Sequence, residues 1–170
     1  MSFVATVRVD SEPGGKKFQG VWLEREDGER WVIQYRPRAC WTPFEGRSVQ
    51  ATGHTYFPPG QAISAVHFEV LRLEVLQPSP EDALVAVGPE LERVGQFQQV
   101  SGQPGSKSEG SSWLEFSAND GSDFLVYNPS AAESAEGEVV VKGREVQRSP
   151  FTAHMGGTWL CVLDVKQGVQ

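Results

Sequence analysis

The chain is poor in residues that do chemistry. Of its 170 residues two are cysteine and three are histidine. No pair among them has the close spacing that ligates zinc. Cys40, His54 and His67 flank one expected strand, but the second half of the chain keeps none of them. No Gly-x-Ser-x-Gly elbow is present, so nothing points to a serine nucleophile. No apolar run approaches the length needed to cross a bilayer, and Met1–Val9 alternates and contains Arg8, unlike a signal peptide. Cys40 and Cys161 are accordingly expected to be free, reduced thiols, and the protein to be cytoplasmic and without contact to membranes. Positive charge is also short: 15 Lys and Arg face 22 Asp and Glu, a net −7. Such a chain is repelled by phosphate backbones, which disfavours generic nucleic-acid binding. Gly14-Gly15-Lys16-Lys17 is glycine-rich and basic, but no Ser or Thr follows the lysines and no helix opens there, so it reads as a turn. The expectation is a protein without catalytic residues, metal or cofactor.

What the chain has in quantity is turn formers, 18 glycines and 11 prolines, which favour short strands over long helices. It also has an internal repeat. Trp22-Leu23-Glu24 recurs 91 residues later as Trp113-Leu114-Glu115, and Pro13-Gly14 and Lys16 recur at the same shift as Pro104-Gly105 and Lys107. Tyr35-x-Pro37 recurs after 92 residues as Tyr127-x-Pro129, and Val49-x-Ala51-x-Gly53 after 90 as Val139-x-Val141-x-Gly143. A collinear series whose length changes fall in loops is the mark of a duplicated unit.

Each copy reads as five strands. In the first they lie near residues 3–9, 18–24, 30–36, 47–56 and 66–76, on period-two alternation and enrichment in Val, Trp, Tyr, Phe and Thr. Asp27-Gly28 is expected to form a tight primed hairpin turn, as is Asn119-Asp120-Gly121. Irregular pieces, Arg38 to Gly46 and Ser130 to Gly137, separate strands three and four. Three strands, a linker and two more strands is the order of the OB-fold, a small five-stranded Greek-key barrel. The stretch Glu45 to Gly53 followed by Phe68 to Val75 resembles the last two strands of bacterial OB-type barrels, and so do Glu136 to Gly143 and Trp159 to Val165. The resemblance is architectural and implies no particular function. The expected fold is all-β: barrels at 1–76 and 92–168, joined by a connector at 77–91. Ser79-Pro80-Glu81-Asp82 there reads as a helix start, with a short helix over 80–87.

The copies differ in charge. Residues 1–76 hold nine basic and nine acidic side chains, and residues 111–170 hold four and eight. Arg30, Gln34 and Arg36 alternate with Trp31, Ile33 and Tyr35 and are expected to face outward, on the surface OB barrels use for ligands. Arg38 and Trp41 follow in the linker, and the loop from Phe57 to Ile63 is more apolar than a surface loop needs. Together Arg30, Gln34, Arg36, Arg38, Trp41, Phe57 and Ile63 form the candidate contact surface, because arginine and large aromatics dominate protein interfaces. The expected function is that of a non-catalytic adaptor whose partner is another protein. The alternative is a single-strand nucleic-acid binder, which needs Trp31 or Trp41 exposed for base stacking.

Overall fold

A computed structural model describes residues 1–9, 20–35, 39–60, 65–151 and 156–168. Strands dominate it, and the longest helical piece among the described residues is a four-residue 3-10 turn, Pro129–Ala132. No helix there is long and apolar enough to cross a membrane. The chain divides into two compact units: Met1–Pro89 with Gln147–His154, and Glu90–Val146 with Met155–Gln170.

Unit 1 contains β1 (Ser2–Val9), β2 (Val21–Arg25), β3 (Arg30–Gln34), β4 (Ser48–Tyr56) and β5 (His67–Val75). They pair antiparallel in the order β3-β2-β1-β4-β5, and a parallel contact, Val32 opposite His67, closes the five strands into a barrel. The sequence dictates this through alternation. Ala5 and Val7, Val21 and Leu23, Val49 and Ala51, and Phe68 and Val70 are all buried at two-residue spacing. A flat sheet cannot close, so β4 must bend. It does so at Gly53, where the register with β5 shifts. A Cβ at Gly53 would lie 1.9 Å from the Glu69 carbonyl oxygen, so only glycine permits this approach.

The Asp-Gly hairpin forms, but not as the expected two-residue turn. Arg25 N–H donates to Glu29 O at 2.8 Å and Gly28 N–H to Arg25 O at 2.9 Å, leaving a three-residue loop with Gly28 at φ 85°. Asp27 Oδ1 accepts the Glu29 N–H at 2.9 Å, and this side-chain bond favours the longer turn. Asn119-Asp120-Gly121 has the same build, with Gly121 at φ 94° and Asp120 Oδ1 accepting the Ser122 N–H at 2.9 Å.

The connector helix expected over 80–87 is absent. Ser79 to Asp82 make a single turn, and Leu84 opens a strand, β6 (Leu84–Ser101). The capping signal is real but serves the turn: Asp82 Oδ2 accepts the Ser79 N–H at 2.8 Å. The next residues, Leu84-Val85-Ala86-Val87, are an apolar run buried at every position and paired to β5 (Leu73 with Val87, Glu74 with Ala86). Burial of this run as a strand outweighs a two-turn helix, which is marginal without packing.

Unit 2 holds the rest of β6 with β7 (Ser112–Ala118), β8 (Asp123–Val126), β9 (Val139–Arg148) and β10 (Trp159–Gln167). The strand order is β6-β7-β8-β10-β9; β8 and β10 run parallel, and β6 also pairs with β9. Its core gathers Phe116, Phe124, Val126, Val139, Val141, Leu160 and Val162. Asn128 extends β8 with its side chain: the amide donates to Val162 O and accepts from Val162 N–H, both at 2.8 Å. The 102–111 loop is a series of hydrogen-bonded turns. Glu109 Oε2 accepts the Gly105 N–H at 2.9 Å, and Ser106 Oγ donates to Gln103 O at 2.6 Å.

Cys40 and Cys161 are fully buried, and both are disulfide-bonded, with no free cysteine. The expectation of reduced thiols is therefore corrected.

Candidate functional site

The expected contact surface divides three ways. Arg36, Arg38 and Ile63 lie outside the described residues. Arg30 and Phe57 are exposed and Gln34 is half-buried at the end of β3. Trp41 is fully buried, which removes it from the surface. It precedes the 3-10 turn Thr42–Phe44, where Phe44 is also fully buried. Burying two large rings of an irregular linker removes apolar surface from water.

Arg30 does not present an unopposed charge. Its Nε donates to Glu24 Oε2 at 3.1 Å, its Nη2 lies 3.1 Å from the same oxygen, and Arg8 meets Glu24 at 3.7 Å. One carboxylate thus serves two guanidinium groups. Trp31, which alternates with Arg30, is 6% exposed. Its indole N–H donates to Glu29 Oε1 at 2.9 Å.

Phe57 is the outlier. Its relative exposure is 100%, on the loop that follows β4, and Tyr56 before it and Val66 at the far end of the loop are 37% and 36% exposed. Burying one such phenylalanine in a partner is worth roughly 1.5–3 kcal/mol. Below the loop sits a histidine that the sequence marked only as ordinary. His67 is 2% exposed, and its Nδ1 lies 2.9 Å from Ala65 O. A carbonyl only accepts, so Nδ1 carries the proton, and Nε2 accepts the Tyr35 hydroxyl. The Tyr35 ring stacks on His67 at 5.6 Å and Tyr56 meets it edge-on at 5.8 Å. Burial raises the Tyr35 pKa. With both nitrogens engaged, His67 ties the end of β3 to the root of the Phe57 loop. It joins neither His54, exposed on β4, nor Cys40, held in a disulfide. Among the described residues no group of three His, Cys, Asp or Glu is placed to hold a metal ion.

A second cluster was not anticipated. The Phe3 ring meets Trp31 and Phe68 edge-on, each at 5.2 Å, and the Arg25 guanidinium lies 4.2 Å above the Trp31 ring and 5.1 Å from Phe3. Arg25 also faces Glu29 at 3.8 Å. Phe3, Val4, Arg25, Glu26 and Asp27 line a groove of about 320 Å³ beside it. The only sequence signal was Arg25 at a strand end beside a charged hairpin, the pattern of a plain solvated turn.

The chain matches no protein-family model, no curated protein and no solved structure.

Proposed function

We propose that this chain is a non-catalytic binding protein, a tandem of two OB-like barrels whose first copy docks another protein through the loop after β4. The duplicated design is supported by pairing. β1 with β2, β2 with β3, β1 with β4, β4 with β5 and β3 with β5 in unit 1 recur in order as β6 with β7, β7 with β8, β6 with β9, β9 with β10 and β8 with β10. The barrels proposed from sequence, 1–76 and 92–168, keep their place in this reading; the segment between them is turn and strand.

The observation that carries the binding reading is Phe57, wholly exposed directly after the part-exposed Tyr56. Interface anchors are commonly aromatic, and Phe57 with Tyr56 offers two adjacent rings for such a role. A protein partner is favoured over single-stranded nucleic acid. The stacking platform would need Trp31 or Trp41, which are 6% and 0% exposed, and the net charge is −7. The cytoplasmic address followed by default from a start unlike a signal peptide, and free thiols were inferred with it; disulfide-bonded cysteines do not support that address.

The test is affinity capture from source extract with wild type, Phe57→Ser and, as control, Lys166→Ser, each with and without nuclease. A protein retained by wild type and the control, insensitive to nuclease, and reduced at least about tenfold by Phe57→Ser supports the proposal. Equal retention by Phe57→Ser, or loss on nuclease treatment, overturns it.

A further inference from the structure

The groove between β1 and the β2–β3 hairpin has a composition that specifies an occupant. Its apolar lining comes from β1, the half-buried Phe3 and Val4, the latter 37% exposed. One wall is Arg25, whose guanidinium lies over Trp31. Arg25 keeps 30% of its side chain exposed, and its reach is fixed by the ring below and by Glu29. A guanidinium stacked on one face offers its other face to a second ring. The rim carries Glu26 and Asp27, both exposed, and neither makes an ion pair among the described residues. These acids favour a cation and repel a carboxylate or phosphate, so Arg25 is not an anion site here. The space, about 320 Å³, admits one large side chain.

We infer that this groove takes an aromatic side chain of the partner protein, flanked by a lysine or arginine. The ring enters the groove along β1 at Phe3 and Val4 and stacks on Arg25, which already lies over Trp31. The flanking cation pairs with Glu26 and Asp27. This rests on the protein-binding reading and adds a second contact to it, chemically distinct from Phe57.

The probes are acetyl-Lys-Trp-Lys-amide, acetyl-Lys-Ala-Lys-amide, acetyl-Glu-Trp-Glu-amide and a thymidine oligonucleotide, each titrated into the ¹⁵N-labelled full chain by NMR. The first peptide is expected to give saturable shifts at the Trp31 indole N–H, the Arg25 Nε–H and the Val4 amide, and the Ala and Glu peptides none. Glu26→Gln with Asp27→Asn should weaken the first peptide about fivefold, the scale of two exposed ion pairs. Arg25→Gln should weaken it further; because that change also strips the cover from Trp31, the carboxamide pair is the decisive variant. Absence of saturation, equal shifts with the Ala peptide, an unchanged affinity in the carboxamide variant, or shifts only with the oligonucleotide overturns the inference. If the groove is silent while Phe57-dependent capture persists, this inference alone falls. If capture also proves independent of Phe57, the wider reading falls with it.

Discussion

Arg47 and Asp82 make the most quantitative test of how unit 1 is held. Asp82, in the turn before β6, is 6% exposed, whereas Arg47, at the entry to β4, keeps 34% of its side chain in water. Arg47 Nη2 donates to Asp82 Oδ2 at 3.0 Å and to Gln77 O at 2.8 Å, and its Nε stands 2.9 Å from Asp82 Oδ1. Asp82 also accepts the Ser79 N–H. The unequal burial makes the two halves unequal in cost. Arg47→Met leaves a buried carboxylate with one backbone donor, a loss of about 3 kcal/mol. Asp82→Asn keeps an acceptor for Ser79 and leaves Arg47 able to turn to solvent, so it should cost about 1–1.5 kcal/mol. The assay is urea unfolding at neutral pH followed by tryptophan fluorescence, which favours unit 1 because it holds Trp22, Trp31 and Trp41. Salt at about 1 M should move the wild-type midpoint little, because the carboxylate end is shielded from counterions. If Asp82→Asn costs as much as Arg47→Met, or if Arg47→Met lies within about 0.5 kcal/mol of wild type, the ranking by burial is wrong.

Gly53→Ala drives a methyl into the Glu69 carbonyl and should lower stability by more than about 2 kcal/mol, read as a fall in the urea midpoint; a neutral result would show that β4 need not approach β5 so closely. Asn128→Leu removes both hydrogen bonds to Val162 and should cost about 2–3 kcal/mol in unit 2, measured the same way and refuted by retained stability. The raised Tyr35 pKa keeps the folded chain protonated where the unfolded chain has begun to ionise, above about pH 10. Stability from this group is complete below that pH and is lost as pH rises through the folded value, so Tyr35→Phe should flatten the decline between about pH 9 and 11, and an unchanged slope would refute the role. Thiol counting in guanidinium should find none before reduction and two after it, and two before reduction would return the cysteines to the free state.

The strands of unit 1 were legible because alternation carries direct physical information. A residue two positions on lies on the same face, so burial can be read from spacing alone. Gly53 and Gly143 were read from the sequence only as matched positions, and at both a Cβ would collide with a carbonyl oxygen, of Glu69 and Cys161 respectively. The connector was misread because two local signals compete there. Ser79, Pro80 and Asp82 form a helix cap in isolation, and Leu84 to Val87 form a strand in isolation. Only the presence of β5 decides between them, and that neighbour is not local in sequence.

The exposure of the candidate residues was legible where side-chain direction follows from strand period. Arg30 could be set outward and is exposed. Trp41 sits in an irregular linker, where no period fixes direction, and composition alone suggested an exposed anchor although the ring is fully buried. Arg25 was missed for the opposite reason. A charged residue at a turn reads as solvated whether or not a ring lies beneath it. The cover over Trp31 depends on three elements, because Phe3 on β1, Trp31 on β3 and Phe68 on β5 meet only when the barrel closes. Chemistry assembled across a closed barrel leaves its mark on several strands at once and on none of them strongly. Phe57 escaped this limit because an apolar residue in a loop stands out against the composition around it, and the structure leaves it in water.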